Sequence, residues 1–218
     1  MAEEWELNVD MADMNVDKNV DVNVARNVDA VADMSVDKDA DLIEAKVGSE
    51  AVFDGCLLHV RKDTVRLPNG NLAYREWIKH PGASAVLPVL PDGRLIFVRQ
   101  YRYPIQQVTL EIPAGKLDAE GEDPLACARR ELSEETGYEA EKYTFLTKLA
   151  TTVGFSNEFI YIYAAEGMTA GRQHPDEDEF INVCILTMAE ALAKVRSGEI
   201  CDAKSVTAVL MLRDLQGR

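Results

Sequence analysis

Glu131, Glu134 and Glu135 lie in the stretch RRELSEETG, residues 129–137. If that stretch is helical, the three carboxylates share a face at i, i+3 and i+4. Like charges at those separations repel and weaken a helix. A divalent cation would reverse the sign of the problem. Mg2+ is a hard ion that prefers carboxylate and water oxygens, and two or three carboxylates on one turn form a preformed bay for it. The competing reading is a solvated helix face on which the neighbouring arginines pair with the glutamates.

The helix that must carry them is well bounded. Asp123-Pro124 supplies an N-cap residue followed by Pro at the first helical position. Thr136-Gly137 supplies the stop, because Gly takes the left-handed conformation after the last turn. The pattern predicts a helix over 124–136. Its apolar stripe is Leu125, Ala128 and Leu132, set at i, i+3 and i+7 to face a core.

Around this helix the chain reads mostly as strands. VFDGCLLHV, DTVRL and LAYREWIKH lie before and after the turn PNGN at 68–71, a hairpin signal. SAVLPVL and RLIFVRQYR flank PDG, a second hairpin signal, and VTLEI is a short strand ending at Pro113. After the acidic stretch come TFLTKLA, FIYIYAAE and EFINVCIL, then helices near 188–197 and 202–215. Strands do not alternate regularly with helices, so the pattern predicts a mixed α+β sandwich rather than a doubly wound fold.

The chain of 218 residues has 47% apolar residues, enough for one domain with a sizeable core and a tail. Its net charge of −15 excludes a general nucleic-acid binder, since phosphate-backbone binding needs basic patches. An acidic enzyme acting on an anionic ligand must concentrate its few basic groups locally or recruit a metal. Cys56, Cys127, Cys184 and Cys201 form no CxxC pair, so free thiols in a reducing cytoplasm are expected. The start MAEEWELNVD lacks the basic and apolar regions of a signal peptide, and no apolar run is long enough to span a membrane.

Residues 1–44 differ from the rest. They hold 13 acidic and 3 basic residues, no Gly, no Pro and one aromatic, Trp5. The triplet NVD recurs four times, and ADMNVDK at 12–18 returns as ADMSVDK at 32–38. Such a composition predicts a disordered acidic tail over 1–40, with partner binding as the alternative. DKDAD at 37–41 starts like a calcium loop and fails, with Leu42 where Gly is needed and Gly48 where Glu is needed.

The stretch GKLDAEGEDPLACARRELSEETGY, residues 115–138, resembles the Nudix box: a Gly and a Glu before Arg-Glu-apolar-x-Glu-Glu-x-Gly-apolar. One departure is six residues between Gly115 and Glu122, where the family usually has five; the insertion leaves the helix spacing intact. REWIKHPGA (75–83), VRQYRYP (98–104), LEIPAGK (110–116), HPDEDEFI (174–181) and GEICDAKSV (198–206) resemble segments of the ADP-ribose pyrophosphatase branch. The resemblance runs from about Asp41 to Leu215, and residues 1–40 have no counterpart in it.

That resemblance implies an α/β/α sandwich with mixed sheets and a loop-helix-loop catalytic motif. It implies an N-terminal sheet over 41–82, a catalytic core over 83–218, and a homodimer in which the N-terminal sheet helps to form the partner's substrate site. The implied reaction is hydrolysis of the pyrophosphate of ADP-ribose to AMP and ribose 5-phosphate, with Mg2+ or alternatively Mn2+. Residue by residue, Glu131, Glu135, Glu179 and the backbone carbonyl of Ala114 would hold the metal. Glu134 would be a further ligand or act through water, and Glu177 would be the general base. Glu122 would pair with Arg130 to orient the helix. Arg102 would contact the phosphates, Arg75 and Glu76 the nucleotide end, and Glu158 the ribose side. Each has a plainer rival: DEDE at 176–179 as a solvated loop and Arg102 as a surface arginine; Trp77 is a candidate to stack an adenine, with a half-buried strand residue as the commoner reading. His59, His80 and His174 show no ligand spacing. Alternative functions are hydrolysis of another nucleoside diphosphate sugar and non-catalytic sensing of ADP-ribose.

Overall fold

The computed structural model describes residues 39–117, 121–175 and 179–217. The disorder expected of residues 1–40 therefore falls almost wholly outside the described residues. By internal contacts the chain divides into residues 1–44 and residues 45–218. In the first unit the described part is a turn in which Leu42 N–H donates to the Asp39 carbonyl at 2.9 Å.

The second unit opens with a three-stranded antiparallel sheet of β1 (Ala45–Asp54), β2 (His59–Arg66) and β3 (Leu72–Lys79), in that order. The expected hairpin at PNGN is the β2–β3 turn, with Arg66 paired to Leu72. Cys56 to Leu58, read as part of a continuous strand, instead lie in a turn closed by Gly55 N–H and the Leu58 carbonyl at 2.9 Å.

The remaining strands form two further sheets. β4 (Ala83–Pro88), β7 (Ala114–Lys116), β8 (Tyr138–Ala150) and β9 (Phe159–Ala170) assemble in the order β7-β4-β9-β8. β5 (Leu95–Arg102), β6 (Gln107–Glu111) and β10 (Ile181–Leu186) assemble as β10-β5-β6. The turn at PDG is present, with the Leu90 and Arg94 backbones bonded at 2.8 Å, but it does not make a two-stranded hairpin. A single bridge joins Val89 to Leu95, after which β4 and β5 enter different sheets. β4 pairs instead in parallel with β9, Ala83 opposite Ile160 through Pro88 opposite Ala165.

Every residue of β4 is buried, as expected of a strand covered on both faces. Alternate residues serve two clusters. Ala85, Leu87, Ile160, Ile162 and Ala164 face a core completed by Phe97, Leu110, Ile112, Val209 and Leu212. Val86, Tyr163 and Ala165 face Ala128 and Leu132 of helix α1 (Pro124–Thr136). Helices α2 (Met188–Ser197) and α3 (Ala203–Gln216) pack residues such as Ala191, Ala208 and Val209 into the first cluster. This mixed arrangement is the α+β sandwich expected from the element pattern.

The boundaries of α1 match the sequence reading. The Asp123 side chain accepts from Leu125 N–H, Pro124 opens the helix, and Gly137 caps it at φ 74°. A side chain at Gly137 would also strike the Gln173 backbone N at 2.5 Å, so this position needs Gly for close approach as well as for its φ.

Candidate active site

Helix α1 lays its apolar stripe on β4 and β9, and this turns Glu131 and Glu135 inward. They are 7% and 3% exposed. A solvated face is therefore ruled out for these two. Glu134, one turn edge away, is half-buried.

Arg130 provides the pairing expected of the solvated-face reading, but around a buried group. Its Nη1 donates to Glu131 Oε1 at 2.6 Å and to Glu134 Oε2 at 3.1 Å. The Arg130–Glu122 pair is looser, at 3.9 Å. Arg130 Nη2 also donates to the Lys116 carbonyl at 3.3 Å, tying the helix to β7.

Glu135 accepts a hydrogen bond from Ala114 N–H at 3.3 Å. Gly115 explains why the strand can lie so close: a Cβ there would sit 1.9 Å from Glu131 Oε1. Burial, followed by the charges of Glu134 and Glu179, lifts the Glu131 carboxyl to about 7 even though Arg130 pulls it down. Burial, with repulsion from Glu131 and Glu179, lifts Glu135 to about 8. Glu179 thus lies near enough to both for its charge to be felt.

Glu131 and Glu179 border a cavity of about 430 Å3, behind which Glu135 is buried. Arg102, Glu158, Glu134 and Glu179 line it together with the backbone of Ala114 and Gly115. The Arg102 guanidinium is held in a fork by Glu111, with Nε–Oε1 at 2.8 Å and Nη2–Oε2 at 2.7 Å. Glu111 is itself buried, bonded by the Lys204 ammonium and by Thr109 Oγ1 at 2.5 Å. Lys204 also donates to Asp202 at 2.9 Å. Burial opposes ionisation of Glu111, but the Arg102 hydrogen bonds and the Lys204 charge outweigh it and bring the carboxyl down to about 2. Glu158 accepts from Thr151 Oγ1 at 2.6 Å, with His80 Nε2 at 3.5 Å from its other oxygen.

The site thus gathers Arg102, Ala114, Glu131, Glu134, Glu135, Glu158 and Glu179. Glu177 lies outside the described residues. Arg75 and Glu76 stand exposed on β3 and do not line the cavity. Sequence reasoning assigned no role to Gly115, Glu111, Lys204 or Gln173. Gln173 donates from Nε2 to the Glu135 carbonyl at 2.7 Å and to the Ile181 carbonyl at 3.2 Å. A charged residue at Glu111 inside the apolar strand VTLEI was the available signal for a buried partner.

The donor set fits a divalent metal. Two buried carboxylates are pushed toward the protonated form, and a cation beside them would relieve both burial and mutual repulsion. Among the described residues no three acidic side chains converge as placed tightly enough for a single ion. Glu131 is turned to Arg130 instead.

Comparisons with known proteins agree with this construction. The model of the NUDIX domain matches residues 78–207. The chain is 42% identical over 172 residues to a methanol dehydrogenase activator of Bacillus methanolicus, covering 78% of this chain and 92% of that one. It is also 42% identical over 174 residues to an ADP-ribose pyrophosphatase of Bacillus subtilis (strain 168), covering 79% and 94%. A crystal structure of an ADP compounds hydrolase superposes with a TM-score of 0.71 at 26% identity, covering 81% of this chain and 96% of that one. With its capped glutamate helix, the glycine strand against it and these matches along most of its length, the chain belongs to the Nudix domain family.

Proposed function

We propose that the protein hydrolyses the pyrophosphate of ADP-ribose, adding water across the P–O–P bridge to give AMP and ribose 5-phosphate. The observation that carries this reading is that Arg102 lines one cavity together with Glu131 and Glu134 of α1. It is supported by the similarity to the Bacillus subtilis ADP-ribose pyrophosphatase and to the ADP compounds hydrolase.

Glu131, Glu135, Glu179 and the Ala114 carbonyl would hold a divalent ion, which we take to be Mg2+ with Mn2+ as the alternative. Bound there, it would supply charge neutralisation and a more acidic water. Arg102 offers a planar, permanently charged fork to phosphate oxygens, and Glu111 fixes its direction. Glu177 is assigned as the base that takes the proton of the attacking water, with Glu134 in support. Glu158, steadied by Thr151, is assigned to the ribose side.

Arg75 and Glu76 fit a homodimer in which each N-terminal sheet serves the other subunit's cavity. The exposed apolar residues Val47, Val52, Phe53, Leu72 and Tyr74 of that sheet support an interface there. The compartment that suits four free thiols is a reducing cytoplasm. Among the described residues no helix is long and apolar enough to cross a membrane.

The test is to incubate the pure protein with ADP-ribose, with and without Mg2+, beside other nucleoside diphosphate sugars, and to resolve the products. Mg2+-dependent AMP and ribose 5-phosphate, with ADP-ribose preferred, is the expected result. Preference for another nucleoside diphosphate sugar would replace the substrate. Tight binding of ADP-ribose without turnover would replace catalysis with sensing.

A further inference from the structure

A second cavity, of about 610 Å3, lies beside the first. Its walls include Asp54, His59, Arg61, Lys79, His80 and Asn157. The turn between β1 and β2 separates the two spaces: Leu57 lines the catalytic cavity, while Asp54 and His59 at the turn's ends line this one.

Its charge runs against that of the molecule. The chain carries a net −15, yet among the described residues four basic side chains meet here around one carboxylate. The sheet register makes this unavoidable. His59 pairs with Lys79 and Arg61 with Trp77 across β2 and β3, so His59, Lys79 and Arg61 rise from one face. Basic groups placed directly opposite one another are unfavourable unless something answers their charge. Asp54 is engaged by the His59 ring. Among the described residues Arg61 and Lys79 make no close salt bridge, and Arg61 is answered only at a distance by Asp54, which feels its charge.

We propose that this cavity is a binding site for a phosphomonoester. A phosphomonoester dianion presents three oxygens, which suit the Arg61 fork and the Lys79 ammonium together. The volume leaves room for the esterified group beyond the phosphate. The site also touches the catalytic cavity through one residue. Gly82 N–H donates to His80 Nδ1 at 3.1 Å, which places the ring proton on Nε2, facing Glu158 at 3.5 Å. An anion held by Arg61 and Lys79 beside His80 therefore stands one side chain from the cavity that Glu158 lines.

Calorimetric titration of the metal-free full chain tests the proposal, with inorganic phosphate, ribose 5-phosphate and AMP as probes. The ranking of the three identifies the source: tighter binding of either ester assigns the site to that ester's organic group, and equal binding assigns it to the phosphate. Arg61→Ala combined with Lys79→Ala is expected to weaken binding at least about tenfold, whereas Arg102→Ala leaves it within about twofold. Thermal melts establish that each variant is folded. Should the double variant fail to fold, Lys79→Gln, at an exposed strand end, is expected to weaken binding about threefold or more. Retention of full affinity by the charge-deleted variants, loss of binding in Arg102→Ala, or no binding of any probe at millimolar concentration would overturn the proposal. Turnover is not the readout, so a failure of the hydrolase reading leaves the result interpretable.

Discussion

Glu111 and Glu135 are equally buried, each 3% exposed, yet the first is held at about 2 and the second lifted to about 8. Burial penalises both charges alike. The difference lies in what surrounds them. Glu111 has Arg102, Lys204 and Thr109 on its oxygens. Glu135 has one backbone N–H and two more glutamates within electrostatic reach, and it feels Lys204 and Arg102 only at a distance, with no cation on its oxygens. A buried carboxylate with its cations already built in is a girder for the residue it holds, here Arg102. One with no cation bonded to its oxygens is a place for a cation from outside. The fold sets both kinds beside one cavity and joins them through Arg102, whose guanidinium also feels the charge of Glu135.

The contrast can be broken at either end. The largest effect is expected from Glu131→Gln, which removes a charge from the underpaired side. Turnover of ADP-ribose should fall about a thousandfold, ~4 kcal/mol in the barrier, while the melting temperature of metal-free protein stays level or rises. Near-parental turnover would sink the metal assignment. On the paired side, Glu111→Gln should destabilise the fold by ~3 kcal/mol, because Lys204 and Arg102 lose their shared counter-charge. Denaturant melts would measure this, and a change below ~1 kcal/mol would mean the network is ornamental.

Gly115→Ala sharpens the contrast sterically. The new methyl would displace the Glu131 carboxylate, and turnover is expected to drop roughly a hundredfold, ~3 kcal/mol, with the larger part in kcat. The two acids also respond oppositely to pH. Glu111 lies below its ordinary 4.5 when folded, so its stabilisation is complete above that pH and is lost as pH falls toward about 2. Glu135 lies above its ordinary 4.5, so in metal-free protein its contribution is favourable below that pH and is lost as pH rises through about 8. The smallest effect follows: Glu135→Gln should stabilise metal-free protein at pH 8 by ~1 kcal/mol relative to its effect at pH 5, read as a difference between two thermal melts. An equal effect at both pH values would reject the assignment of the shift.

Much of the underpaired side was legible in the sequence, because it is local. Asp123-Pro124, Gly137 and the 3-4 spacing of the glutamates are all written within one helix, and the helix has the predicted limits. The paired side was not. Lys204 reaches Glu111 across 93 residues of sequence, and no local pattern encodes that meeting. The same reason separates the two expected hairpins. PNGN joins strands that remain neighbours, whereas the strand before PDG leaves its local partner for β9, more than seventy residues downstream. Turn chemistry is local, and sheet membership is decided by which apolar faces must be covered.

The parallel pairing of β4 with β9 has a consequence for the order of events during synthesis. The floor on which α1 rests is made of Val86 from one strand and Tyr163 and Ala165 from the other. Residues 124–136 leave the ribosome before the second half of that floor exists. Until about residue 165 has followed, nothing can turn Glu131 and Glu135 inward, and the nascent helix is a solvated acidic peptide. The long-range closure that completes the sheet is then also the step that creates the buried charges, so their cost falls at a late stage of folding, where a divalent cation could bind as the strand docks.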